Sequence, residues 1–327
     1  MLEDPEGFLE DRIGKRIVLD EIHRLPDPAQ VLKISADHFP SIKIIATGSS
    51  SLQASRKFKD SLTGRKEEIW LTPMISEDLE CFGRKGLEHR FLHGGLPPFF
   101  LQDTLPEKEF QEWVDSYWAK DVLELFRLER RSSFFRFMEL LFISSGGIFE
   151  ATRYSRPCEV SRTTISNYLA VLEATWVVHV VRPFSTYRPT EIVSAPKVYA
   201  FDTGFVCYFK GWDRLRPEDM GLLWEHYVMN ELHGRFSLYP LRYWRNKRGK
   251  EVNFVLVRRQ RPPIAIECKW SAEDFDPSNI FSFRKVYPEG KNIVIAKNVD
   301  TLYKKRYKGV EVTFCPLEQV GKIIANG

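Results

Sequence analysis

Two short runs of β-branched residues constrain this chain most. Arg16–Glu21 reads R-I-V-L-D-E, and Ile42–Ser51 reads I-K-I-I-A-T-G-S-S-S. Runs this apolar do not alternate as a half-buried strand must, and they suit parallel strands covered on both faces. The stretch between them, Ala29–Phe39, has helical spacing. A third run, Glu68–Leu71 leading into Thr72-Pro73, predicts another strand. The opening of the chain therefore reads as a parallel α/β layer, with carboxylates and a hydroxyl at the strand ends.

In a nucleotide hydrolase of the P-loop type, each of those end groups has work to do. Asp20 would hold Mg²⁺, usually through water, and Glu21 would polarise the attacking water. Thr47 sits where such a sheet reads the γ-phosphate, and Arg65, after Leu62-Thr63-Gly64, could reach phosphate across a subunit interface. A solvated strand end is the alternative for each of them.

The order of these pieces resembles AAA-type ATPases. It is closest to the bacterial and archaeal family in which the ATPase module is fused to a C-terminal nuclease-like domain. The phrase D-E-I-H-R-L-P-D over Asp20–Asp27 is similar to that family's D-E-I-Q-x-x-P. The resemblance implies ATP and Mg²⁺ as cofactors. No segment fits G-x-x-x-x-G-K-[ST], and the pairs Gly14-Lys15, Gly249-Lys250, Gly290-Lys291 and Gly321-Lys322 lack the glycine spacing and the hydroxyl. In the family the phosphate loop lies upstream of the stretch similar to Leu2–Leu9. The expectation is a chain that starts after the first strand, the P-loop helix and the second strand. Such a chain would not bind ATP tightly, and its open sheet would need a protein partner or a second copy.

The middle of the chain is helical. Phe91–Pro98 reads F-L-H-G-G-L-P-P, a loop signal that is also similar to the family's segment after the ATPase core. Phe110, Trp113, Val114, Tyr117, Trp118, Val122, Leu123 and Phe126 recur along one face of a helix over Glu107–Arg130. Lys120-Asp121 stands where the family has Arg-Asp. Phe134–Ile143 is a second helix, ended by Ser144-Ser145-Gly146-Gly147. Val160–Glu173 then has the layout of a recognition helix. Ser161 is the N-cap, Ile165, Leu169 and Leu172 face inward, and Arg162, Thr163, Ser166 and Asn167 face out. Two β-rich runs follow, Trp176–Pro183 and Lys197–Phe201, like the wing of a winged helix. DNA is the partner this arrangement suggests, with Arg153, Arg156, Arg162, Arg182 and Arg188 as local basic support. A purely structural or protein-binding module is the alternative.

The last third carries a different constellation. After K-V-Y-A-F-D-T-G over Lys197–Gly204, similar to the family's K-V-Y-x-x-D-T-G, Gly221–Leu232 forms a helix bearing Glu225. Three strand-like pieces follow, Leu241–Arg245, Glu251–Val257 and Ile264–Trp270. Period two puts Glu267 and Lys269 on one face, the E-x-K half of a PD-(D/E)xK nuclease. In that chemistry carboxylates hold Mg²⁺, which activates water, and the lysine orients the nucleophile. The resemblance to a restriction-endonuclease-like fold assigns metal contacts to Glu225, Glu251, Glu267 and position 253. Where the family reads E-V-D-F-V-L, this chain reads E-V-N-F-V-L, with Asn253 in place of the aspartate. An amide cannot supply the charge that holds a hard cation, and Glu251 lies one strand repeat away, roughly 6–7 Å. Weak or no nuclease activity is expected. Lys304-Lys305-Arg306, between Tyr303 and Tyr307, reads as a solvated helix end.

Composition narrows the classes further. Lys and Arg number 48 against 44 Asp and Glu, so the net +4 makes no nucleic-acid argument by itself. The 5 cysteines, Cys81, Cys158, Cys207, Cys268 and Cys315, are scattered without metal spacing. No apolar run approaches the about 18 residues of a membrane span, and the acidic start is unlike a signal peptide, so a cytoplasmic location is expected. The sequence thus predicts an α/β multidomain protein. Residues 1–80 form a truncated AAA-type core, 81–215 a helical and winged-helix region, and 216–327 a restriction-endonuclease-like domain. Its function is that of an AAA-type ATPase family member whose nuclease-like domain binds DNA or a protein partner. A non-catalytic DNA-binding or interaction protein and an active Mg²⁺-dependent nuclease are the alternatives.

Overall fold

The computed structural model describes residues 4–48, 62–67, 69–83, 85–118, 122, 130–186, 195–237 and 239–325. Ser49–Ser51, Glu68, Lys120-Asp121, Leu123, Phe126 and Arg188 lie outside them. The residues group into two compact units. The first comprises Met1–Ile69, Glu112–Arg131 and Asn167–Val177; the second comprises Trp70–Gln111, Ser132–Ser166 and Val178–Gly327.

In the first unit, α1 (Pro5–Glu10) precedes β1 (Arg16–Leu19), α2 (Pro28–His38) and β2 (Lys43–Ala46). Asp4 and Asp27 cap the two helices through the Gly7 and Gln30 amides, each with proline in the first turn. As expected, β1 and β2 pair in parallel, with Val18 opposite Ile45. One face is covered where Ile22, Ala29 and Leu62 pack with Leu19, Leu25 and Leu32. The other is bare among the described residues: Val18 is 67% and Ile45 65% exposed. The expected third strand does not form over residues 69–72, where Ile69 and Leu71 stand exposed. Strand propensity alone does not place a segment in a ladder.

The rest of the chain continues with α3 (Leu87–His93), α4 (Glu107–Tyr117), α5 (Arg131–Ile143), β3 (Gly147–Ile148), α6 (Ala151–Ser155), α7 (Arg162–Ala174), β4 (Val178–Val181) and β5 (Lys197–Ala200). β3, β5 and β4 form an antiparallel sheet in that order. α8 (Thr203–Lys210) and the 20-residue α9 (Pro217–Phe236) lead into β6 (Leu241–Arg245), β7 (Glu251–Leu256) and β8 (Ile264–Lys269). α10 (Ser278–Val286), β9 (Asn292–Ala296), β10 (Tyr303–Tyr307), β11 (Val310–Cys315) and α11 (Val320–Ala325) complete the chain.

The six-stranded sheet has the order β10-β11-β9-β8-β7-β6. β8, β9 and β11 run parallel, while β6-β7-β8 is an antiparallel meander. β9, N-I-V-I-A, is buried along its whole length, as a central parallel strand must be. Under α10, Ile280 and Phe283 pack with Val252, Val255, Ala265, Val294 and Phe314. On the α9 side, the Trp224 indole donates to the Ile295 carbonyl at 3.1 Å. Lys304-Lys305-Arg306 is strand β10 and not a helix end. Lys308 and Gly309 take positive φ and turn the chain straight into β11, and Tyr303 stacks on Phe314.

A fully buried clamp holds the loops of this unit. Asp202 accepts from the Gly95 and Gly204 amides at 2.6 and 2.7 Å. Arg90 reaches Asp202 at 3.8 Å and also donates to the Met74 carbonyl and the Thr203 hydroxyl. Gly94 has φ +81°, and a Cβ there would meet Asp202 Oδ1 at 2.1 Å. The G-G-L-P and D-T-G phrases are thus two halves of one contact.

Candidate functional sites

The strand-end residues of the first unit converge as expected. Thr47 Oγ1 hydrogen-bonds to Asp20 Oδ1 and accepts from the Glu21 amide at 3.1 Å. The Thr47 backbone bonds Leu19 and Ile22, which keeps the two strand ends together. Glu21 takes a left-handed conformation, φ 51°, where β1 gives way to a short turn of helix. Arg65 does not join this group. Its guanidinium donates to Asp37 at 2.6 Å, and each side of that pair favours the other's charged form: Asp37 is shifted down and Arg65 up.

α7 has the expected faces. Ser161 Oγ accepts from the Thr164 amide at 3.1 Å, so Ser161 is the N-cap. Ile165, Tyr168, Leu169, Val171 and Leu172 are buried, whereas Arg162, Thr163, Ser166 and Asn167 are exposed. Arg153 and Arg156, from and just after α6, are exposed as well.

The C-terminal constellation is divided in two. Val252 and Val255 both pack under α10, although they lie three residues apart. The register between β6 and β7 shifts there, from Arg242 opposite Val255 to Trp244 opposite Val252. This β-bulge inserts one extra residue and turns both Asn253 and Phe254 to the α9 face, where Phe254 meets Tyr199. Asn253 Nδ2 donates to Glu225 Oε2 at 2.7 Å, and its Oδ1 accepts from the Cys268 amide at 3.0 Å. Glu225 Oε1 accepts from the Tyr199 hydroxyl at 2.5 Å and from Lys197 Nζ at 3.3 Å. The same ammonium lies 2.5 Å from Glu251 Oε1.

Lys197 and Tyr199 did not stand out as site residues, since nothing local in K-V-Y-A announces a charge partner. Burial pulls the Lys197 pKa down, and Glu225 and Glu251 outweigh it, so the net shift is upward. Burial, reinforced by Glu225, raises Tyr199 well above its ordinary value, keeping its proton in place to donate.

Glu267 and Lys269 have the parity of Ala265 and therefore face α10, away from Glu225, Glu251 and Asn253. Burial pushes the Glu267 carboxyl up to about 7, against Lys269 at 3.5 Å and the neighbouring Asn279. Its Oε1 is buried without a hydrogen-bond partner. The five residues expected around one metal ion are thus split between two faces of a sheet. Among the described residues, no three His, Cys, Asp or Glu side chains stand close enough to share a metal. The residues on the α9 face do not suit Mg²⁺ either, because their oxygens already face an ammonium, a phenol and an amide donor.

A second buried cluster was not foreseen. The rings of His179 on β4 and His233 on α9 lie 4.6 Å apart. His226 Nε2 pairs with the Ser145 hydroxyl at 2.6 Å while its Nδ1 faces the Leu222 carbonyl. Ser145 Oγ also accepts from the Ala200 amide at 2.6 Å, which ties the His226 contact to β5. Burial lowers all three histidines, His179 to about 3.

Comparison with known proteins adds a class to this geometry. Residues 2–79, which include Asp20, Glu21 and Thr47, match the family model of an AAA domain. Residues 84–216 match a domain of unknown function (DUF8612), and 220–319 match another (DUF4143). Uncharacterized proteins of Mycobacterium bovis and Mycobacterium tuberculosis are each 28% identical over 271 residues, covering 80% of this chain. The chain spans about 60% of the length of these curated relatives. A solved half-complex of Thermococcus gammatolerans McrB AAA+ hexamers with bound McrC aligns with 87% of this chain and 80% of its own. The identity is 9% and the TM-score 0.29, too low to assign a shared fold. Among the described residues no helix is long and apolar enough to cross a membrane.

Proposed function

We propose that this chain belongs to an AAA-type ATPase family protein whose middle and C-terminal regions bind DNA, and that its nuclease-like α/β layer does not cut. The convergence of Asp20, Glu21 and Thr47 within the segment that matches the AAA domain carries the ATPase half of the reading. Those acids suit a hydrated Mg²⁺ beside a nucleotide. Without a G-x-x-x-x-G-K-[ST] cradle in its 327 residues, this chain is expected to bind ATP weakly at best. Nanomolar-to-micromolar ATP binding in calorimetry would overturn that.

The DNA half rests on α7 and the antiparallel β4–β5 pair after it, a winged-helix-like order. Arg162, Thr163 and Ser166 are exposed near the helix start, with Arg153 and Arg156 exposed on the segment before it. Fluorescence anisotropy with a labelled duplex at several salt concentrations tests it. Affinity should fall steeply with salt, and Arg162→Ala should flatten the log–log slope by about 1. A slope near zero refutes DNA contact. Incubation of plasmid DNA with Mg²⁺ or Mn²⁺ should yield no cleavage; cleavage that disappears in Lys269→Ala would establish a nuclease.

A second reading, a protein-interaction module, is favoured by one observation. The exposed Val18 and Ile45 face the same side of an open two-stranded sheet. Light scattering over a concentration series distinguishes self-association from a monomer.

A further inference from the structure

The α9-face polar centre accounts for every carboxylate oxygen in it. Glu225 Oε1 faces Tyr199 and Lys197, and its Oε2 faces the Asn253 amide. Glu251 Oε1 faces Lys197, and its Oε2 lies 3.7 Å from Arg245. Lys197 itself is held on β5 with a side chain only 7% exposed. A divalent cation needs several oxygen lone pairs aimed at one point. Here those lone pairs are aimed at an ammonium.

We propose that Lys197 is the resident cation of this centre, closing Glu225 and Glu251 to divalent metals and so denying the α/β layer a metal-activated water. The charge arithmetic favours it. One ammonium compensates two carboxylates jointly, with a second positive charge from Arg245 near the outer oxygen. Displacing the ammonium would strand a buried positive charge beside the incoming ion, a cost of the kind that keeps buried charges paired. Asn253 completes the closure, because an amide donates to Glu225 where an aspartate would repel it. Lys269 has the parity of Ala265 and lies on the opposite face, so it is not the ammonium serving this centre. The inference rests on the non-cutting reading and supplies its cause.

Removing the ammonium should convert the centre into a metal site. In EDTA, Lys197→Ala should melt below the wild type, and Mn²⁺ at about 100 times its Kd should raise its Tm by about 5 °C or more. The same addition should leave the wild type and the double variant Lys197→Ala/Glu225→Gln unmoved. A folded Lys197→Ala with no Glu225-dependent Mn²⁺ response overturns the proposal. If Lys197→Ala does not fold, Mn²⁺ titration of the wild type and Glu225→Gln by electron paramagnetic resonance decides. Equal binding supports the proposal, and a wild-type site lost in Glu225→Gln overturns it. Cleavage of DNA by a wild type with no such site would sink the non-cutting reading alone. A Glu225-dependent site in a wild type that cuts nothing would sink only the role of Lys197.

Discussion

The Arg90–Asp202 clamp makes the sharpest stability prediction. Asp202→Ala removes the acceptor of two buried amides, Gly95 and Gly204, and the partner of an arginine that is 1% exposed. It also removes the N-cap of α8, because the Gly204 amide is that cap bond. Leaving a buried charge uncompensated costs about 3–5 kcal/mol, and losing a cap about 1. These losses share atoms and do not simply add, so about 4 kcal/mol is expected. With a urea m-value near 3 kcal/mol/M, the midpoint should fall by about 1 M at constant m. Tryptophan fluorescence and far-UV circular dichroism would follow it. The double variant Arg90→Met/Asp202→Ala should lose less than the two single changes summed, because the stranded charge is gone. The control is Glu311→Ala, which breaks an exposed 2.8 Å pair with Lys304 and should leave the midpoint where it was. A loss under about 1 kcal/mol for Asp202→Ala, or full additivity in the double variant, refutes the clamp as described.

Other consequences follow from the same packing. Gly204→Ala places a Cβ 2.7 Å from the Gly94 backbone nitrogen and should cost about 1–3 kcal/mol in urea unfolding. The buried histidines make the fold acid-sensitive. Their folded pKa values are lowered, so the unfolded chain takes up protons that the folded chain refuses. That stability is fully present above the unfolded value of about 6.5 and is lost below it, at up to about 1.4 kcal/mol per pH unit for each histidine. Tm should fall between pH 6.5 and 5.5, and His179→Phe should reduce the drop. Glu267 has the opposite sign. Its raised pKa favours the fold below the unfolded value near 4.5, and this advantage is lost as pH rises through about 7. Glu267→Gln should therefore stabilise the protein at pH 8, by about 3 kcal/mol at most, and change little near pH 5. Equal effects at both pH values would refute an ionising, buried carboxyl.

Much of this was legible in the chain itself. The apolar runs of β8 and β9 carry their own burial, whereas those of β1 and β2 form strands yet leave Val18 and Ile45 exposed. The faces of α7 follow from its 3.6-residue period and the cap from its serine. Asp20, Glu21 and Thr47 sit at strand ends whichever neighbours the strands acquire. Misreadings occurred where a local pattern needed a distant partner. Glu68–Leu71 has strand composition, but residues 69–72 form no strand among the described residues. The Y-K-K-R-Y run looked like a solvated helix end until the Lys308-Gly309 turn and β11 made it an edge strand. Arg65 was expected to reach phosphate across a subunit interface; within this chain its guanidinium pairs with Asp37 on α2.

The amino-acid sequence by itself determined that the most apolar runs, such as β9, are buried strands, which face of α7 is wet, and that residue 253 is an amide with no charge to offer a metal. Those properties reside in single side chains and in local periodicity. Only the tertiary structure decided which charges meet. Alternation along a strand holds until a neighbouring strand forces a bulge, and the bulge opposite Tyr243 sends Asn253 to one face and leaves Glu267 and Lys269 on the other. Lys197, 28 residues before Glu225 and 54 before Glu251, becomes their cation because β5 lies against them. Electrostatic partnership depends on distance in space and on burial, and neither can be read from spacing along the chain.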